Sequence, residues 1–164
     1  MKSIYLIGFM GSGKTTIGKQ LSQALELPLL DTDQLVEDHY GKQIVEIFQQ
    51  DGEKTFRLYE SEVLQSLPEE NVVVSTGGGI VEKRENIDYL YYKGIVIYLQ
   101  ASFTEISNRL KNDRTRPLWN KDLDAKKKLF NRRRLLYQQC ADHTVQTDGR
   151  SVLEIVQEIR NIID

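Results

Sequence analysis

The chain contains little cysteine, histidine or proline, and it has no excess of charge of one sign. Among 164 residues there are one cysteine, Cys140, two histidines, His39 and His143, and three prolines. One cysteine excludes an intrachain disulfide framework, and two histidines make a zinc site unexpected. We expect structural roles for all three residues. The net charge is −2, so no global field directs the chain to nucleic acid or to an anionic membrane.

Long apolar runs are also missing. No stretch approaches the roughly 20 apolar residues that a membrane span needs. The short apolar run at the N-terminus carries no cleavage-site pattern, so we do not expect a signal peptide. These features favour a cytoplasmic protein. The length and the 40% hydrophobic content fit a single globular domain, residues 1–164, and the absence of a heptad pattern favours a monomer.

Strand and helix signals alternate along the chain. The predicted strands are Ser3–Ile7, Leu27–Leu30, Val72–Ser75, Ile95–Leu99 and a weaker Thr144–Gln146. The predicted helices are Lys14–Glu26, residues 34–67 with breaks near 40–41 and 51–52, Lys83–Tyr92, Thr104–Leu110, Ala125–Cys140 and Val152–Ile163. Apolar strands separated by helices predict a three-layer α/β/α fold around a five-stranded parallel sheet. Ligands of such folds bind at the carboxyl ends of the strands.

A glycine-rich phosphate loop follows the first predicted strand. Residues 8–15, GFMGSGKT, match G-x-x-x-x-G-K-[ST] at every fixed position. Backbone N–H groups of such a loop bind phosphate oxygens, while Lys14 would neutralise the outer phosphates and the Thr15 hydroxyl would hold Mg²⁺. The alternative is a glycine-rich turn without a ligand. The match predicts binding of a nucleoside triphosphate with magnesium.

Neither Val72–Ser75 nor Ile95–Leu99 ends in the aspartate that binds magnesium in many nucleotide-binding proteins. The acidic residues instead follow the second predicted strand. Asp31 and Asp33 lie two positions apart, where one carboxylate could order the magnesium shell and the other could receive an acceptor hydroxyl. In the alternative interpretation Asp33 only caps the helix that begins at Gln34. A guanine-binding Asn-Lys-x-Asp motif is approached at residues 120–122, but its aspartate comes one position early.

Two arginines lie near apolar helix faces. Arg133 falls on the apolar stripe of helix 125–140, where it would be costly without an anionic partner; its basic neighbours are expected on a solvated face. Arg57 precedes Glu60 by one turn, so Glu60 could orient it, and a surface ion pair is the alternative. The glycines at 77–79 would let a small ligand approach the backbone. Together these features suit a small, anionic, hydroxylated acceptor.

These motifs, in this order, resemble those of shikimate kinases over essentially the whole chain. The resemblance is carried by residues 8–15, 31–33, Phe56-Arg57 with Glu60, 76–79, Arg116-Pro117-Leu118, and Arg133 with Leu136-Tyr137. It implies a P-loop kinase fold with a mobile lid at about 112–124 and substrate-binding helices at about 34–67. It also implies transfer of the γ-phosphoryl of ATP to the 3-hydroxyl of shikimate, a step toward chorismate and the aromatic amino acids, with Mg²⁺ as cofactor.

The resemblance further implies roles for individual residues. Lys14, Asp33 and Arg116 would be catalytic, with Asp33 as the candidate base. Arg109 would pack on adenine, and Asp31 would join Thr15 in holding magnesium, through water. The implied ATP-binding residues are Gly11, Ser12, Gly13, Lys14, Thr15, Thr16, Arg109 and Arg116. The implied shikimate-binding residues are Asp33, Arg57, Gly78, Gly79 and Arg133.

Two positions depart from the family pattern. Trp119 stands where a leucine is usual, and we expect it either to be an exposed lid residue or to cover the substrate on closure. Ser75 stands where alanine is commoner. Two other functions remain open on sequence alone: a P-loop kinase for gluconate or a nucleoside monophosphate, and a nucleotide-gated binding module that hydrolyses ATP without an acceptor.

Overall fold

The fold is built on one parallel sheet with five strands. The computed structural model describes all 164 residues. The strands are β1 (Ser3–Ile7), β2 (Leu29–Asp31), β3 (Val73–Ser75), β4 (Gly94–Gln100) and β5 (His143–Gln146), in the order β2-β3-β1-β4-β5. All neighbouring strands run parallel. The predicted three-layer fold with a five-stranded parallel sheet is confirmed.

Eight α-helices connect and cover the strands. They are α1 (Lys14–Leu25), α2 (Thr32–Tyr40), α3 (Ile44–Gln50), α4 (Gly52–Gln65), α5 (Arg84–Lys93), α6 (Phe103–Arg109), α7 (Leu123–Cys140) and α8 (Val152–Ile163). Short 3-10 turns lie at Ile80–Glu82 and Pro117–Trp119. None of the helices combines the length and apolarity that crossing a membrane requires.

Alternating strand residues divide the core into two layers. In β1, Ile4 and Leu6 face a cluster shared with α1 and α8, whereas Tyr5 and Ile7 face a larger cluster shared with α4, α5 and α7. Both sets of side chains are fully buried, because helices cover both faces of the sheet. Strands that are apolar throughout are therefore required here, and that is the pattern the sequence carries.

Helices α2, α3 and α4 pack on one another around a separate small core. Val36, Ile47, Phe56 and Val63 form that cluster. The two predicted breaks within residues 34–67 are confirmed: Gly41 ends α2 with a left-handed backbone, and Gly52, also at positive φ, begins α4. The helical region starts two residues earlier than predicted, at Thr32.

The second strand and the start of α7 differ from prediction. The strand runs over Leu29–Asp31 rather than Leu27–Leu30, because Glu26 takes a left-handed conformation that ends α1 and carries the chain to Pro28. Helix α7 begins at Leu123, two residues before the predicted start. Its N-cap is Asp122, which accepts a hydrogen bond from the Ala125 N–H. The aspartate of the near-match to a guanine motif is thus a helix cap.

The expectation that Trp119 is an exposed lid residue was wrong, and its position over the substrate on closure stays a prediction. Its side chain is 3% exposed and is absent from the walls of the large cavity described below. It packs edge-on against Phe9, with ring centroids 5.6 Å apart, and also contacts Phe103. Burial of a ring of this size stabilises the fold and anchors the segment 112–124 to the main core. The polar residues beside Trp119 in the sequence give no indication of this burial.

Candidate active site

The phosphate loop connects β1 to α1 through three glycines at positive φ. These are Gly8, Gly11 and Gly13, at 155°, 80° and 96°. A Cβ on Gly8 would lie 2.7 Å from the Leu99 carbonyl oxygen, so the loop requires glycine there for space as well as for conformation. Helix α1 has no acidic residue in its first turn and no side-chain cap. Its N-terminal N–H groups and dipole are therefore available to an anion.

Lys14 is buried against its own loop. Its Nζ donates hydrogen bonds to the carbonyl oxygens of Gly8, at 2.6 Å, and Phe9, at 3.0 Å. Burial, reinforced by the nearby positive charge of Arg116, lowers the pKa of Lys14 to about 7. The ammonium group thus lacks an anionic partner, and phosphate oxygens would supply one.

Asp31 caps α2, and this leaves Asp33 free. Asp31 Oδ1 accepts from the backbone N–H groups of Asp33, at 3.0 Å, and Gln34, at 3.1 Å. The alternative interpretation, in which Asp33 is only a cap, was therefore wrong. Burial, together with the charge of Asp31, raises the pKa of the Asp33 carboxyl group, while Lys14 opposes that shift.

The glycines after β3 make room for the protein's own side chains. A Cβ on Gly77 would lie 2.5 Å from Asp33 Oδ1 and 2.9 Å from Glu60 Oε2, and a Cβ on Gly79 would overlap the Arg57 guanidinium. The Gly77 N–H donates to the Thr32 hydroxyl, which fixes the loop against α2. Two of the three glycines thus accommodate the protein's own charged groups, and the approach of a ligand to this backbone stays a prediction.

Arg57 and Glu60 form a buried ion pair on α4. Arg57 Nη1 donates to Glu60 Oε1 at 2.9 Å, and the two residues are 8% and 1% exposed. The alternative interpretation, an ordinary surface ion pair, was therefore wrong. Burial raises the pKa of Glu60 to about 7 despite the neighbouring Arg57, and Glu60 Oε2 has no hydrogen-bond partner. The second oxygen is thus an unused acceptor beside the cavity.

Arg133 points inward from α7, as its position on the apolar stripe predicts. It is 1% exposed, its Nε donates to Glu82 Oε1 at 2.9 Å, and its Nη2 is buried without a partner. The guanidinium carbon lies 5.9 Å from the centre of the Phe9 ring. Nε of the guanidinium is therefore held, whereas Nη2 has no partner.

Arg109 and Arg116 border the cavity from α6 and the segment after it. Arg109 Nη1 donates to the Gly11 carbonyl oxygen at 2.9 Å, and its Nε donates to Glu105. Arg116 lies 3.5 Å from Asp113 and is partly exposed. Arg109 is therefore fixed beside the phosphate loop, whereas Arg116 has only a long contact within its own segment.

A cavity of about 640 Å³ collects these side chains at the carboxyl ends of β1, β2 and β3. Its walls include every residue that the sequence predicted for the site except Ser12. Ser12 is buried behind the loop, and its N–H donates to the Phe9 carbonyl oxygen, so it does not face the cavity in this conformation. The register pairs Asp31 with Ser75 and Ser75 with Leu6, which aligns the three strand ends.

Sequence reasoning missed several groups that shape the site. Thr32 receives the Gly77 N–H, Tyr137 donates to the Gly78 carbonyl oxygen, and Glu82 holds Arg133. Thr32 and Tyr137 fall within motifs that carry the resemblance but received no role there, and Glu82 is 51 positions from Arg133 in the sequence. Only the three-dimensional contacts identify them.

A parallel sheet with a phosphate loop at one strand end, beside a pocket lined by arginines and carboxylates, defines a P-loop kinase that acts on a small molecule. The family model described as "Shikimate kinase" matches residues 10–164. The chain belongs to the shikimate kinase family.

Individual relatives support the same assignment. The chain is 48% identical to a shikimate kinase of Bacillus cereus (strain G9842), an alignment that covers 100% of this chain and 99% of the relative. A solved shikimate kinase from Acinetobacter baumannii, in complex with shikimate, is 34% identical with a TM-score of 0.95, covering 99% of this chain and 93% of that one. The enzyme from Aquifex aeolicus is 40% identical with a TM-score of 0.87, covering 98% and 95%.

Proposed function

We propose that this chain transfers the γ-phosphoryl group of ATP to the 3-hydroxyl of shikimate, yielding shikimate 3-phosphate and ADP. The observation that carries the proposal is the single cavity in which the phosphate loop meets Asp33 and two buried arginines, Arg57 and Arg133. An acceptor with both a carboxylate and a hydroxyl group fits that set of charges. Membership of the shikimate kinase family supports the same substrate.

The phosphate loop and Lys14 bind the donor. Lys14 leaves the carbonyl oxygens of Gly8 and Phe9 and pairs with the outer phosphate oxygens, while the α1 N-terminus supplies N–H donors. Arg109 borders the adenine side, and Arg116 reaches the transferring group. Positioning and charge stabilisation make up most of phosphoryl-transfer catalysis, so these cations supply most of the protein's contribution.

The residues present fit a magnesium ion. Asp31 uses only Oδ1 for capping, so its second oxygen is free, and the Thr15 hydroxyl lines the same cavity. The structure contains no cluster of three potential His, Cys, Asp or Glu metal ligands, which suits an ion that retains waters and binds substrate phosphates. Thr15 would hold the ion directly and Asp31 through water; when bound, magnesium offsets charge on the phosphates.

Arg57, Arg133 and the loop 77–79 bind the acceptor. The two guanidinium groups take the carboxylate of shikimate, and the backbone at Gly78 and Gly79 lies against the ring. The oxygen of the 3-hydroxyl bonds to the γ-phosphorus as the bond from that phosphorus to the ADP oxygen breaks. Asp33 receives the proton that this hydroxyl loses. A raised pKa makes Asp33 a better proton acceptor than an ordinary aspartate. Because the transition state is loose, Asp33 first orients the 3-hydroxyl by accepting its hydrogen bond, and full transfer of the proton follows later.

The segment 112–124 acts as a lid. Trp119 anchors it to the core, while Thr115, Arg116 and Leu118 face the cavity. Closure of this segment excludes water, which competes with the acceptor hydroxyl.

A coupled assay for ADP release tests the proposal. With ATP and magnesium fixed, shikimate is compared with gluconate, with nucleoside monophosphates and with no acceptor, and Lys14→Ala serves as the inactive control. We expect turnover that saturates with shikimate and a background rate with the others. Faster turnover with another acceptor would identify a different small-molecule kinase, and acceptor-independent hydrolysis would identify a nucleotide-gated module.

A further inference from the structure

Glu82 lies behind the cavity wall, where it connects two consecutive arginines of α7. One of its oxygens accepts from Arg133 Nε at 2.9 Å, and both accept from Arg132 Nη2 at 3.0 Å. Glu82 ends the 3-10 turn that follows the glycine loop, and its N–H donates to the Gly79 carbonyl oxygen at 3.0 Å. It is not itself part of the cavity wall.

We propose that Glu82 is a positioning residue for recognition of the substrate carboxylate, and that Arg132, bound to the same carboxylate, keeps the net charge of the Arg132–Glu82–Arg133 group positive. Glu82 occupies the Nε–H of Arg133 and so fixes the plane of the guanidinium. The Nη2 group, buried and without a partner, is left for the substrate. This inference rests on the proposed function, in which Arg133 binds that carboxylate.

Arg132 resolves a conflict of charge. Alone, Glu82 would neutralise Arg133 and weaken its attraction for an anion. With Arg132 the group contains two guanidinium groups and one carboxylate, so one positive charge remains. The Arg132 side chain is 60% exposed, so water solvates its charge, whereas Arg133 is buried and is the arginine of the pair that lines the cavity.

Two substitutions of Glu82 separate the effect of its hydrogen bond to Arg133 from the effect of its negative charge. Glu82→Ala frees Arg133 Nε, and we expect the shikimate KM to rise about tenfold, the usual effect of losing a hydrogen bond to a charged group, with kcat and the ATP KM unchanged. Glu82→Gln keeps an oxygen for Arg133 and should restore the shikimate KM to within about threefold of the parent. Glu85→Ala, which removes an exposed glutamate three residues away, is the matched control.

A double-mutant cycle tests the role of Arg132. We expect Arg132→Ala to raise the shikimate KM about threefold on its own, because an exposed ion pair makes a modest contribution, and to have no further effect in the Glu82→Ala background. Arg134→Ala is the control, since Arg134 is exposed on the same helix and forms no ion pair. Equal effects of Arg132→Ala in both backgrounds would show that Arg132 acts without Glu82.

A substrate analogue tests whether Glu82 has a purely structural role. Calorimetry measures binding of shikimate and of an analogue whose carboxylate is replaced by hydroxymethyl, and melting temperatures are recorded in parallel. Glu82→Ala should weaken shikimate binding and leave analogue binding unchanged. An equal loss for both ligands would overturn the proposal. If Glu82→Ala does not fold, Glu82→Asp gives the same test, because its shorter side chain withdraws the acceptor from Nε.

Arg133→Ala distinguishes failure of this inference from failure of the proposed function. If Arg133→Ala raises the shikimate KM but Glu82→Ala does not, only the role of Glu82 is wrong. If Arg133→Ala leaves the shikimate KM unchanged, the assignment of Arg133 to the substrate carboxylate is itself wrong.

Discussion

Asp31 holds the backbone of Asp33. The Oδ1 atom of the first residue accepts the N–H of the second at 3.0 Å, so one aspartate builds the helix end from which the other faces the cavity. The two carboxylates therefore differ in position, one capping the helix and one lining the cavity, although they are only two positions apart.

Asp33→Ala should lower kcat by at least about 100-fold, because it removes the proton acceptor of the proposed reaction. The melting temperature should change little, since the α2 cap belongs to Asp31. Steady-state kinetics and thermal melts check both parts. Asp38→Ala, which removes an exposed aspartate of the same helix, should leave kcat unchanged. Near-normal turnover in Asp33→Ala would end its catalytic assignment.

Asp31→Asn should separate capping from magnesium binding. Asparagine caps helices as well as aspartate does, so the free energy of unfolding should stay within about 0.5 kcal/mol, whereas Asp31→Ala should lose about 1 kcal/mol. The magnesium concentration for half-maximal activity should rise in both variants, as measured by titration at fixed ATP. An unchanged magnesium requirement in Asp31→Asn would remove Asp31 from the metal shell.

Lys14 should take up a proton when ATP binds at a pH above neutral. Burial lowers the pKa of Lys14 to about 7, so at pH 8 most ligand-free molecules carry a neutral amine. Phosphate oxygens favour the charged form and raise that pKa, so Lys14 gains a proton when ATP binds. Calorimetry at pH 8 in two buffers of different ionisation enthalpy measures the uptake. Lys14→Met should abolish it, and equal heats in both buffers for the parent protein would contradict the assignment.

Arg116→Ala should reduce kcat more than it raises either KM, because Arg116 has no strong partner in the ligand-free protein and acts on the transferring phosphate in the proposed mechanism. A loss of about 100-fold in kcat is typical for removal of one such donor. The control is Arg114→Ala, an exposed arginine outside the cavity wall. A raised ATP KM with normal kcat would make Arg116 a ground-state contact.

Trp119→Ala should destabilise the protein by about 3 kcal/mol, as expected when a large buried ring is removed. For a chain of this size the melting temperature should fall by about 6–12 °C. Leu123→Ala, which truncates an exposed apolar residue nearby, is the control for scanning calorimetry. Equal stability of the two variants would mean that Trp119 does not anchor the lid segment.

Local patterns sufficed for much of the fold. Helix α8 has the bounds that its periodicity predicts, Val152–Ile163, because its apolar face and its N-cap Ser151 are both encoded within one short stretch. The phosphate loop is equally local. The inward position of Arg133 also follows from the sequence, since helical spacing alone places it between Leu129 and Tyr137.

Features that depend on distant partners could not be predicted. The sequence indicates that Arg133 needs an anion, but nothing near it points to Glu82. The burial of Trp119 is not predicted by its polar sequence neighbours, because its aromatic partners, Phe9 and Phe103, come from other parts of the chain. The sequence offers Asp33 and not Asp31 as the cap, because the start of α2 two residues earlier is set by the backbone conformation of Asp31.

The strand order has a consequence for the separation between the backbone segments that carry the two proposed ligand sites. The phosphate loop leaves β1, Asp33, the proposed proton acceptor, follows β2, and β3 lies between these two strands. Two ladder spacings, about 10 Å, therefore separate the starting points of the two ligand sites, and that interval is fixed by backbone hydrogen bonds. Helices and the segment 112–124 can adjust around the reactants, but the distance between β1 and β2 is fixed by the hydrogen bonds of the sheet.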